Sequence, residues 1–239
     1  MVVRAPARRR TSIRGSSVLL HAVMAAAGII MVLFLLAHMY GNLKVFSGAE
    51  AFDSYAAHLR TLGEPFLPHA GALWILRILL LLSVLAHIGA AFVLWHRMRA
   101  ATGGRGSRRY ATKKSPRGVQ RTYASFTMRW GGIVIGLFVV YHLLHLTVNV
   151  IAPGGASDSP YERMVGGFSI WWVTLSYLIA LLALGLHLRH GVWSAFASLG
   201  VNTGVRRRRH LNLMAYLVTA VVILGFLLPP LAIQFGMVT

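Results

Sequence analysis

Five stretches of the chain carry almost uninterrupted apolar residues, at about 16–46, 71–96, 126–151, 168–196 and 211–236. A helix crossing the hydrocarbon core needs roughly 20 such residues, so each stretch predicts one membrane-spanning helix. The short alternating segments of a membrane barrel are absent, and each run is too long to be such a strand. The pattern predicts an all-α integral membrane bundle of five transmembrane helices over residues 16–236, preceded by a basic segment at 1–15.

Punctuation between the runs agrees with this division. Residues 99–125 are rich in Gly, Ser, Arg and Lys and read as a flexible loop or an amphipathic surface segment. Gly154, Gly155 and Pro160 mark the connection between the third and fourth spans, and Pro229 and Pro230 predict a kink or an end in the fifth helix. Trp74, Trp95, Trp130, Trp171, Trp172 and Trp193 fall near predicted span ends, where an aromatic belt is expected.

Composition supports a lipid environment: of 239 residues, 56% are hydrophobic and 12% charged, and mean hydropathy is +0.65. The first apolar run exceeds a signal-peptide core and lacks a small-residue cleavage site, so it reads as a retained helix. Arg8, Arg9 and Arg10 resemble a twin-arginine export signal, but the full span behind them favours a cytoplasmic anchor. The chain has no cysteine, which excludes disulfides and any iron–sulfur cluster ligated by this chain alone.

Charge sets the expected orientation. A net charge of +19 would point to nucleic acid in a soluble protein, but here it is gathered into three segments. Arg4, Arg8, Arg9, Arg10 and Arg14 precede the first span, nine Lys or Arg lie from Arg97 to Arg121, and Arg206 to Arg209 precede the fifth. All three fall on one side of a five-span chain, which the positive-inside rule assigns to the cytoplasm. The N-terminus is then inside and the C-terminus outside. The five acidic residues, Glu50, Asp53, Glu64, Asp158 and Glu162, all fall in the two loops assigned outside. The basic loops also suit anionic lipid or a soluble partner docked on the inner face.

Histidines inside the spans carry the chemistry. An ionisable side chain there is costly and is usually retained for a function. His38, His87, His142, His145 and His187 lie well within apolar runs, and His190 nearer an end. At about 1.5 Å per residue, His38 and His142 lie about eight residues from the outer ends of their helices, and His87 and His187 about eight or nine from the inner ends. Two pairs result, in tiers on the order of 14 Å apart.

An internal repeat singles out the same residues. Gly28-Ile29-x-x-x-Leu33-Phe34-x-x-x-His38 returns as Gly132-Ile133-x-x-x-Leu137-Phe138-x-x-x-His142. Each glycine lies about 15 Å from its histidine, at the depth of the opposite pair, where a missing side chain leaves room for a flat macrocycle. Paired imidazoles fill both axial positions of a haem iron, leaving it to carry electrons and not to bind oxygen. A single histidine in a span often does no more than bond a neighbouring helix, but four at two matched depths call for a common cause.

His21, His145 and His190 are further candidates for cofactor contact; a second shell, a quinone, a propionate or a plain helix contact would each suit His145 and His190. Asn42 and Asn149, and Arg77 and Arg129, are candidates for propionate or quinone contacts. Snorkelling is the simpler account of both arginines.

From Ser16 to Gly236 these residues resemble the five-helix, di-haem cytochrome b subunit of succinate dehydrogenases and fumarate reductases of menaquinone-using bacteria. The pieces that carry the resemblance are Ala37-His38-Met39, Ala86-His87, Met128-Arg129-Trp130 through Phe138 to His142-Leu143, and Leu186-His187-Leu188-Arg189-His190-Gly191-Val192-Trp193. Singly these are short; their order and depths give them weight.

The resemblance implies two b-type haems in a bacterial plasma membrane protein, the distal one held by His38 and His142 and the proximal one by His87 and His187. It implies a flavoprotein that oxidises succinate and an iron–sulfur protein, both docked on the cytoplasmic face, with menaquinone as electron acceptor. An oligomer of the whole complex is compatible with it. Some relatives exchange protons with quinone through an outer glutamate, and Glu64 lies in that region. Menaquinone reduction by succinate is uphill, and one charge crossing 100 mV is worth about 2.3 kcal/mol, enough to assist.

Rival readings are a stand-alone bis-His cytochrome of the quinol or ferric reductase type, and a structural anchor or transporter without a redox centre. The spans lack acids for a carboxylate proton path, and no broken helix pair marks a transport site. Histidine pairs also serve Rieske-type clusters, whose cysteines would have to come from a partner chain.

Overall fold

The computed structural model describes residues 16–102 and 118–239, and all regular structure among them is helical. Helix α1 spans Ser17–Leu43 and tightens into a 3₁₀ turn at Lys44–Ser47; α2 is Ala49–Thr61 and α3 Gly71–Thr102. Helix α4, Gly118–His142, runs on into a π-turn at Leu143–Thr147. Then follow α5 at Pro160–Phe168, α6 at Trp171–Ser198 and α7 at Val205–Gln234. Five of these, α1, α3, α4, α6 and α7, are long and apolar enough to cross a membrane.

Local chemistry accounts for the ends. Ser16 caps α1, its hydroxyl accepting from the Val18 N–H at 3.2 Å. Ser159 does the same for Glu162 N–H at 3.1 Å in α5, which begins with Pro160, where a missing N–H does no harm. Gly48, at φ 88°, turns the chain from the 3₁₀ segment into α2.

Several boundaries depart from the hydropathy reading. Helix α7 starts at Val205, so Arg206 to Arg209 form its first turns and do not precede it. The same helix passes through Pro229 and Pro230 to Gln234 without ending; both prolines are buried, and packing of the surrounding helix outweighs their two lost N–H donors. Helix α3 continues to Thr102 and α4 begins at Gly118, so both flanks of the basic loop are helical. The segment 1–15 and residues 103–117 of that loop lie outside the described residues. Short helices α2 and α5 occupy the two acidic loops, where hydropathy alone shows no element because neither is apolar enough to stand out.

The spanning helices pack unequally. Close pairs are α1 with α3, α4 with α6, α1 with α6, and α6 and α1 with α7. The pairs α1–α4, α3–α6 and α3–α4 are not among the close pairs, so the two hairpin-like halves meet chiefly through α1 and α6. On the surface of the bundle, Ile78, Leu81, Leu85, Ile88 and Phe92 of α3 and Ile133, Leu137 and Val140 of α4 are exposed, as lipid-facing side chains are.

At one end, α2 and α5 close over the bundle. Val45, Tyr161, Met164, Phe168, Val173, Tyr177 and Ile233 form one buried cluster there. Asp53 of α2 ties the cap together: its carboxylate accepts from the Ser159 hydroxyl at 2.5 Å and the Tyr161 N–H at 3.0 Å. Arg163 reaches back from α5 to the carbonyls of Leu146 and Thr147, at 3.4 and 3.2 Å, satisfying acceptors that the end of the π-turn leaves open.

Candidate functional site

The four intramembrane histidines meet ring to ring in two pairs. His38 of α1 and His142 of α4 have centroids 5.8 Å apart, with planes at 82°. His87 of α3 and His187 of α6 have centroids 6.2 Å apart, at 57°. None of the four is exposed to the outside of the bundle.

The glycines of the repeat explain how the tiers interlock. A side chain on Gly28 would begin 3.7 Å from Cε1 of His87, and one on Gly132 would begin 3.6 Å from Cε1 of His187. Each glycine of α1 and α4 therefore faces a histidine of the other tier, ten residues or about 15 Å along the helix from its own. Beside them the repeat extends further than Gly28 to His38. Met24 precedes Gly28 by four residues as Met128 precedes Gly132, and Leu81-Leu82-x-x-x-x-His87 matches Leu181-Leu182-x-x-x-x-His187. Helices α1 and α3 thus form one half, α4 and α6 the other, and each tier takes one imidazole from each half.

Hydrogen bonding fixes which ring nitrogen is free. His87 Nδ1 lies 3.1 Å from the Met24 carbonyl, an acceptor, so Nδ1 carries the proton and Nε2 keeps its lone pair. At the matching place His187 Nδ1 is buried with the Met128 carbonyl alongside, in a geometry short of a proper hydrogen bond. His142 Nδ1 lies 3.3 Å from the Tyr177 hydroxyl. Phe34 stacks on His38 at 5.3 Å and Phe226 lies 5.7 Å from it, while Phe138 lies 5.8 Å from His142. These rings keep water away and hold the imidazoles in place.

Two imidazoles per tier are the donor set that an iron porphyrin would need. Two metal–imidazole bonds of about 2.0–2.1 Å, plus roughly 1.1 Å from each nitrogen to its ring centre, put opposed centroids about 6.3 Å apart. The observed 5.8 and 6.2 Å lie close to that value. Among the described residues no three His, Cys, Asp or Glu converge on a common point. A metal between either pair would draw two ligands from this chain and bring the rest with it, as haem does.

The remaining expected residues are scattered. His145 is 2% exposed, with Nδ1 2.9 Å from the Tyr177 hydroxyl. His21 is exposed and bonds its own helix at the Ser17 carbonyl, 2.7 Å away. His190 is half-buried one turn beyond His187. Arg129 is exposed, and Arg77 lies over the Trp74 ring at 5.0 Å, as a snorkelling side chain would. Asn42 is half-buried in the last turn of α1, and Asn149 holds the Ser157 carbonyl at 3.1 Å, closing a loop. Glu64 sits in the exposed turn before α3, 3.3 Å from His69.

Tyr177 is the residue that pattern reading missed. It precedes His187 by ten residues, the spacing that relates Gly28 to His38, and depth alone would have set it beside His142. No family model, curated protein or solved structure matches the chain.

Proposed function

We propose that this chain is the membrane-anchor cytochrome b subunit of a succinate:quinone oxidoreductase in a bacterial plasma membrane, with its N-terminus in the cytoplasm and its C-terminus outside. The observation that carries the reading is the stack of two opposed imidazole pairs, each tier drawing one ligand from each half of an internal repeat. His38 and His142 hold a b-type haem in the outer tier, and His87 and His187 hold a second in the inner tier. Haem between two imidazoles supplies a one-electron carrier with no open position for oxygen.

The chain's own residues do the rest. The Met24 carbonyl holds the proton of His87 on Nδ1 and leaves Nε2 with its lone pair. Phe34, Phe138 and Phe226 surround the outer pair with apolar surface. The basic residues before α1, in the loop after α3 and at the start of α7 lie on the face assigned to the cytoplasm, where they attract anionic lipid and a docked iron–sulfur protein. That protein receives electrons from a flavoprotein that oxidises succinate, and menaquinone takes them up in the membrane.

The test is a dithionite-reduced minus oxidised spectrum of the purified protein with pyridine haemochrome stoichiometry. Two b haems per chain, with succinate dehydrogenase activity in the same complex, are expected. Absence of haem overturns the redox reading, and haem without a dehydrogenase partner turns it into a stand-alone cytochrome.

A further inference from the structure

We infer that Tyr177 is a positioning residue that acts through His142 and sets the outer redox centre apart from the inner one. The inference rests on the bis-His reading and deepens it. Its basis is one hydroxyl shared by two imidazoles: Tyr177 Oη lies 3.3 Å from His142 Nδ1 and 2.9 Å from His145 Nδ1.

A hydroxyl has one proton, so it can donate to only one of these nitrogens and must accept from the other. With Nε2 of His142 turned to the metal, its Nδ1 carries the proton and donates to Tyr177. Tyr177 then donates to Nδ1 of His145, whose own proton sits on Nε2. A one-way chain results, from His142 through Tyr177 to His145. Each link polarises the next, so Tyr177 accepts more strongly because His145 draws on its proton.

The geometry leaves little freedom for another arrangement. His145 is nearly fully buried, and a side chain on Gly167 would start 2.6 Å from its Nε2, so α5 pins the ring against Tyr177. Tyr141 stacks on His145 at 5.5 Å, and Phe138 and Phe168 meet the Tyr177 ring edge-on at 4.8 and 4.7 Å. The repeat breaks at this spot. The position matching Tyr177 in the first half is Arg77, exposed over Trp74, and the position matching His145 is Gly41. The chain to His142 therefore belongs to the second half alone, while His87 of the inner tier rests on a backbone carbonyl.

An acceptor on the far nitrogen of an iron-bound imidazole makes it a better electron donor and favours the oxidised metal. Tyr177 thus lowers the potential of the outer centre relative to what His38 and His142 would give alone.

The experiment is a spectrally resolved potentiometric titration of the intact complex carrying Tyr177→Phe, His145→Leu or both, with haem content measured on each sample. Tyr177→Phe is expected to move the outer midpoint to more positive potential and leave the inner one in place. His145→Leu should move it the same way by less, and the double variant should match Tyr177→Phe, because His145 acts only through the hydroxyl. An unmoved outer midpoint, equal shifts in both centres, or additive shifts in the double variant overturn the inference. If Tyr177→Phe holds no outer haem, His145→Leu alone decides, by whether its outer midpoint rises. Lack of haem in the unaltered protein would instead sink the bis-His reading itself.

Discussion

The carboxylate of Asp53 accepts the backbone N–H of Tyr161 at 3.0 Å, joining two loops that lie 108 positions apart in the chain. With its second bond, to the Ser159 hydroxyl, it holds α2 and α5 together at one end of the bundle. Losing an acceptor for two half-buried donors costs on the order of 1–3 kcal/mol. Asp53→Ala should therefore lower the thermal midpoint in detergent, with Asp53→Asn falling between it and the native chain.

Substitution of single ligands reads out the pairing. Replacing His38 by Ala should delete the same spectral component as replacing His142, and His87 the same component as His187. Crossed behaviour would refute the assignment of tiers.

Space beside the His87–His187 pair is graded. A methyl group on Gly28 would sit 3.7 Å from His87, an ordinary contact, so Gly28→Ala should keep both haems. Gly28→Leu pushes a longer side chain against the His87 ring and should lower occupancy of the site it serves, measured by haem-to-protein ratio. Gly132 should behave alike against His187.

Gly167 tolerates less. Its first added carbon would lie 2.6 Å from His145 Nε2, on a ring already held by Tyr177. Overpacking of this kind costs typically about 1–3 kcal/mol. Gly167→Ala should show a reduced unfolding midpoint, while Gly136→Ala, which meets nothing, should not.

Orientation can be read with single cysteines, since the native chain offers no background thiol. A membrane-impermeant maleimide should label Met237→Cys on intact right-side-out cells and Val201→Cys only after permeabilisation. The reverse result would invert the topology.

The five spans were legible because runs of Leu, Ile, Val, Ala and Phe long enough to cross lipid have few alternatives. That His38 and His142 share a depth followed from helical rise and from the repeat, and Gly28 opposite His87 followed from the same arithmetic. Helices α2 and α5 were not legible: their residues alternate between polar and apolar and are ordered by Asp53, Ser159 and Arg163, contacts between parts of the chain far apart. The start of α7 was hidden because four consecutive arginines lower hydropathy without discouraging helix. Tyr177 escaped for another reason. Its importance comes from sharing a hydroxyl between two helices, and a tyrosine in an apolar run carries no such mark.

The doubled architecture also dictates an order of events during biogenesis. With His38 and His87 on one hairpin and His142 and His187 on the other, a ribosome that has released only α1 and α3 has delivered two half-sockets and no finished one. Neither ring pair can close until the later hairpin arrives, its first helix bringing His142 to His38 and its second bringing His187 to His87.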